Sequence, residues 1–191
     1  MRRRTRPALA AQLPPVLALT LLLGPPAASA PLDPRADAEV IVRADVALVH
    51  VEKSARRLTL LDPAGRPLRS YGRLQLGPAP VGPKRFAGDG RTPEGRYVID
   101  YGNEGSDYWL SLHISYPNAA DRAYAAARGR SPGGAIFLHG QPNSLQNGRI
   151  AGDWTAGCIA LSNEEIEQLW KPFPMGRQSR SIRNVPYKCL T

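Results

Sequence analysis

Residues 153–163 read DWTAGCIALSN, with Gly157 directly before Cys158 and a short apolar run from Ile159 to Leu161 behind it. Ser162 then opens SNEEIEQLW, in which Ser162 and Glu165 have the spacing of a capping box. Glu164 and Glu165 suit the positive end of a helix dipole. A helix therefore starts near Ser162, and Ile166, Leu169 and Trp170 share the face that pins it to a sheet. Cys158 is expected at a tight turn just ahead of that helix.

Upstream, the sequence alternates strand and turn signals. VALVHV (46–51) and RLTLLD (57–62) flank the polar EKSAR and predict a hairpin. RYVIDY (96–101), YWLSLHISY (108–116) and GAIFLHG (134–140) are further strand candidates bounded by Gly, Pro and Asn. Between them lie a Gly/Pro-rich loop at 77–95 and an Ala-rich turn of helix within 117–134 that ends in glycines. No repeat is present. The class expected is mainly β, a β-rich α+β domain with short helices.

Around this body the 191 residues leave room for no second catalytic domain. Residues 1–30 carry four arginines, an apolar stretch from Leu13 to Leu23 and a small-residue close at Ala28-Ser29-Ala30, the order of a secretory signal peptide. The apolar stretch is shorter than the roughly 20 residues a membrane-spanning helix needs. Contact with a membrane is therefore expected only through this segment, and the protein is expected to be exported to the periplasm or cell envelope. Residues 31–45 read as a linker, 46–170 as the catalytic domain and 171–191 as an atypical basic tail.

The formal charge of +9 invites a nucleic-acid partner, but its distribution removes the invitation. Residues 31–170 hold 16 basic and 16 acidic side chains, and the excess is four arginines in the leader plus five basic residues after Trp170. No nucleic acid is expected. No metal or organic cofactor is expected either, because no group of Cys, His and carboxylates has ligand spacing.

The chemistry rests on Cys158 and on His139, 19 positions earlier at the end of an apolar strand. An ordinary thiol is mostly protonated at neutral pH and needs a base to become a nucleophile. His139 can be that base. Gly157 lets backbone N–H groups approach a carbonyl that is gaining negative charge. Cysteine acylation followed by transfer to an amine or water is the reaction class. The bland alternative is a buried cysteine with a structural histidine. The second cysteine, Cys189, could pair with Cys158 in an oxidising compartment.

These residues resemble the L,D-transpeptidase catalytic domain, the YkuD family, over about residues 45–170. His139 and Gly140 match its His-Gly pair. Thr155, Gly157, Cys158, Ile159, Leu161, Asn163, Glu165 and Leu169 match its cysteine segment, and TPEGRY at 92–97 matches a Thr-Pro-x-Gly-x-aromatic segment. The resemblance implies a YkuD-like β-sandwich and a cysteine acyl-enzyme acting on peptidoglycan stem peptides, with a wall-anchored protein as one acceptor. It implies Cys158, His139 and Gly157 as catalytic residues and Gly140 and Thr155 as substrate contacts. A hydrolase on the same scaffold and a non-catalytic wall-binding domain are the rival readings.

Two positions depart from the family pattern. Ala156 stands where a second histidine is usual, and Ala160 where Arg or Asn is usual, which would remove a contact to a substrate carboxylate. His113 either replaces the histidine at the cleft or faces solvent. Arg122 and Arg130 either supply the carboxylate contact or are surface side chains. Tyr108, Trp109 and Tyr116 read as packing residues. The tail, KPFPMGRQSRSIRNVPYKCLT, has no acidic residue and no strand pattern. One base inserted after a Trp170 codon would let a plausible coding sequence read Glu-Ala-Val-Pro-Asp-Gly-Thr-Pro-Val-Glu-Ile, the family's closing strand, so a frameshift is expected there.

Overall fold

The structure, a computed structural model, describes residues 46–173 and 181–190. Strand β1 (Leu48–Glu52) turns through 53–56 into antiparallel β2 (Arg57–Leu61), as the polar spacer predicts. Val49, Val51, Leu58 and Leu60 are fully buried, so the two-residue period puts one face of the hairpin into the core. β3 (Pro67–Tyr71) adds to β2 with a register shift at Leu60/Leu61. Its Pro and charged residues hide it from a sequence reading.

β4 (Gly95–Ser106), β5 (Trp109–Ile114) and β6 (Ile136–His139) form a meander. α1 (Ala119–Ala126) fills the β5–β6 connection, with Asn118 as its cap in a capping box with Asp121. β7 (Ile159–Ala160) pairs in parallel with β6, and α2 (Asn163–Trp170) follows with Ser162 as cap and Glu165 closing the box. The predicted helix start is therefore correct. Cys158, however, is separated from it by β7, so the helix N-terminus does not abut the thiol.

Within the tail, residues 181–190 form β8 (Ser181–Leu190). β8 lies between β1, to which it is parallel, and β4, to which it is antiparallel. The expectation of a tail without strand structure is thus corrected. Pro186 and the basic Arg183 and Lys188 argue against a strand locally. Pairing partners on both sides override that preference. The full strand order is β3-β2-β1-β8-β4-β5-β6-β7.

The sheet bends until its ends meet. Gln75, just past β3, exchanges backbone hydrogen bonds of 3.0 and 2.9 Å with Ala160 of β7. One buried cluster accordingly takes side chains from β1–β3, from β4–β7 and from Ile166 and Leu169 of α2. The β-rich fold with two short helices is the class the sequence predicts.

Candidate active site

Pairing of β6 with β7 sets the site. Leu138 lies opposite Ile159 and His139 opposite Ala160, so Cys158 falls beside Phe137, two positions from His139. Diagonal neighbours of this kind are about 7–8 Å apart in a β ladder, within reach of an imidazole. Ile136 and Leu138 point into the core, while Phe137, His139 and Cys158 line one cavity of about 440 Å³. The cavity is bounded by the β4–β5 turn on one side and residues 154–156 on the other.

His139 is 4% exposed, and its Nδ1 lies 2.7 Å from the Gly140 carbonyl. A carbonyl only accepts, so Nδ1 carries the proton and the neutral ring keeps its lone pair on Nε2. Burial pushes the imidazole below its usual pKa, against the opposing effect of the Gly140 bond. The Cys158 thiol is pushed up by burial, offset in part by the Phe137 N–H and the Lys84 charge. The resting pair is therefore a thiol and a neutral imidazole. The thiol donates to the Ala135 carbonyl at 3.5 Å, so it must rotate to hand its proton to His139.

The turn before Cys158 is built by its own side chains. Thr155 Oγ1 donates to the Cys158 carbonyl at 2.8 Å and accepts from Gly157 N at 3.2 Å. Gly157 has φ +121°, and a Cβ there would lie 2.5 Å from the Arg91 carbonyl oxygen. Only glycine fits. Because the Gly157 N–H is bound to Thr155, it is not free to face a substrate, and of the N–H groups expected near Gly157 and Cys158 the Cys158 one is left for that place. Asp153 anchors the turn from outside, taking both guanidinium nitrogens of Arg56 at 2.7 and 2.6 Å and the Leu76 N–H at 2.9 Å. Buried Gln141 and Gln75 tie the preceding segment in through Ile150, Gly152 and Leu161.

The remaining sequence-predicted residues fall in different places. Thr155 lines the cavity. Gly140 is buried, where a Cβ would lie 2.6 Å from Asn163 Oδ1, so it lets α2 approach β6 and does not face the cavity. His113 bonds Asp100 at 2.6 Å, stacks on Tyr101 and meets Phe137 edge-on, outside the cavity lining. Arg122, on α1, bonds the Pro117 carbonyl and also lies outside it. Ala160 is fully buried between His139 and Gln75, so no lost carboxylate contact is to be sought there. No disulfide joins Cys158 to Cys189.

Sequence reasoning missed three contributors. Tyr108 is not a packing residue: it lines the cavity with its ring 4.8 Å from His139. Trp154 lies 5.6 Å from His139 and 5.7 Å from Tyr108, and its place beside Thr155 in the quoted stretch was the available signal. Lys84 is buried in the Gly/Pro-rich loop, held by Asp89 at 2.9 Å and by the Phe86 carbonyl.

Comparison with known proteins decides the family. The sequence profile of the L,D-transpeptidase catalytic domain, YkuD, matches residues 47–180. This chain belongs to that family. YafK of Escherichia coli (strain K12), itself provisionally assigned as an L,D-transpeptidase, is 26% identical over 114 residues, which are 56% of this chain and 40% of YafK. The chain thus spans well under half of that curated relative. Among solved structures, the helical cell shape determining protein Pgp2 from Campylobacter jejuni aligns with TM-score 0.57 at 24% identity, covering 81% of this chain and 54% of that one. Bd1075 from Bdellovibrio bacteriovorus aligns with TM-score 0.51 at 21% identity, covering 76% and 48%. Both likenesses are of fold.

Proposed function

We propose that this YkuD domain is an exported cysteine acyltransferase that works on peptidoglycan stem peptides. The observation that carries the reading is the pair of Cys158 and His139 on one cavity, with the His139 Nδ1 proton committed to Gly140. Cys158 Sγ attacks the carbonyl on the L-centre of the diamino acid while its proton passes to Nε2 of His139. With Gly157 N bound to Thr155, the Cys158 N–H takes the role of oxyanion donor. Collapse breaks the amide bond, and the departing D-alanine amine takes the proton from His139. The resulting thioester is opened by an incoming amine, from a neighbouring stem or a wall-anchored protein. That amine's proton goes to His139 and returns to the sulfur as it leaves.

Incubation of the protein with a tetrapeptide and an amine acceptor tests the assignment. An amide product is expected; free acid alone makes the domain a hydrolase. Exposure to a carbapenem tests the nucleophile, and a covalent adduct at Cys158 is expected by mass spectrometry. A folded protein without an adduct overturns the enzymatic reading.

A further inference from the structure

Three arginines lie over two neighbouring aromatic rings. Arg128 lies 3.6 Å and Arg85 4.5 Å from the centre of the Tyr124 ring, and Arg130 lies 3.8 Å over Phe86. The two rings are 6.0 Å apart, so the guanidinium groups form one patch on α1 and the adjoining loops. Among the described residues none of the three has a carboxylate partner, whereas Arg56, Arg57, Arg66 and Arg149 each close an ion pair. The acids of the same segments are engaged elsewhere. Asp121 accepts from Tyr97 and from the helix cap, and Asp89 accepts from Lys84 and three backbone N–H groups. Stacking a guanidinium face on a ring fixes its orientation and turns its N–H edge outward; Arg128 spends one of these donors on the Tyr124 carbonyl at 3.1 Å and keeps its other N–H groups for a carboxylate.

The patch joins the site through the backbone. Arg130 is five residues from Ala135, whose carbonyl receives the Cys158 thiol, so the chain between them spans at most about 18 Å. From the other side, Lys84 next to Arg85 acts electrostatically on Cys158. A polymer with its reacting bond in the cavity can reach the patch with a neighbouring segment.

We propose that Arg85, Arg128 and Arg130 form a docking surface for carboxylates of the cell-wall peptide beyond the reacting bond. It rests on the cell-wall reading above and adds a recognition element outside the reaction cavity. Charge complementarity selects the occupant: three guanidinium groups gathered over two neighbouring rings, with no carboxylate paired to them among the described residues, favour a chain bearing several carboxylates.

Sedimentation of the full chain with purified peptidoglycan sacculi tests this. Replacing all three residues (R85Q, R128Q, R130Q) is expected to weaken binding by about tenfold, with the rate of Cys158 alkylation by iodoacetamide unchanged. Sacculi whose carboxylates have been converted to amides are expected to bind the unmodified protein no better than native sacculi bind the triple variant. Binding of the unmodified protein should fall between about 0.05 and 0.5 M salt, a measurement that needs no variant. Undiminished binding by the triple variant, by amidated sacculi or at high salt overturns the proposal. So does a requirement for the three arginines on anionic lipid vesicles but not on sacculi. Loss of the carbapenem adduct with sacculus binding intact would remove the catalytic reading and leave the patch standing.

Discussion

His139 starts the reaction neutral, with Nε2 as its only free lone pair, and this makes it the first residue to test. His139→Gln is expected to slow carbapenem acylation of Cys158 at neutral pH by about 10²–10⁴-fold, followed by mass spectrometry over time. Alkylation of the same variant well above the ordinary thiol pKa should be nearly normal, because hydroxide then removes the proton. Gly157→Ala tests the turn. A side chain there meets the Arg91 carbonyl and requires left-handed backbone, so the variant is expected to lose about 1–3 kcal/mol in denaturant unfolding and most of its thiol reactivity. At this scale the sequence displayed the reacting groups, since a cysteine after glycine and a histidine closing a strand are local patterns. It did not display where Gly140, His113 or Arg122 face. Those orientations follow from register and packing partners far away in the chain.

Among the elements, the β4–β5 turn is held from outside by Asn143. Asn143 donates to the Ser106 carbonyl at 2.9 Å and accepts from Trp109 N at 2.8 Å, while its own N–H donates to the Asp107 carbonyl at 2.9 Å. Gly140 N adds a bond to the Tyr108 carbonyl at 3.0 Å. Trp109 is kept at φ +68° by these contacts, and Tyr108 is kept against His139. Asn143→Ala removes both side-chain bonds, and the turn is expected to relax so that Tyr108 moves off the imidazole. An NMR titration should then show the His139 pKa rising towards its usual value, without loss of fold because Asn143 is exposed. In α2, Ser162→Ala is expected to cost about 1 kcal/mol in the same unfolding assay, since Glu165 N loses its acceptor. The helices and five of the strands were legible because capping residues and two-residue periods are short-range signals. β3, β7 and β8 were not, because a proline-led strand, a two-residue strand and a strand carrying basic residues owe their structure to neighbours.

For the whole molecule, the buried pair makes stability depend on pH in two windows. The folded state lowers the His139 pKa, so the unfolded state binds more protons in the interval below 6.5. Stability from this group is present above 6.5 and is lost as pH falls through the folded value. Cys158 has the opposite sign: its raised pKa gives stability that is present below the ordinary thiol value and lost as pH rises beyond it. Thermal melts across pH should show a decline at both ends, and His139→Gln should flatten the acidic one.

Strand β8 sits in the middle of the sheet although its residues come after those of all the other strands. A ribosome therefore releases the hairpin β1–β2 and the meander β4–β6 as two half-built walls with facing unsatisfied edges. Although Gln75 and Ala160 can already join the far sides, the gap between β1 and β4 closes only once position 190 has emerged. Until that moment the nucleophile just before β7 and its base at the end of β6 already exist as neighbours, while the wall behind them lacks its central plank.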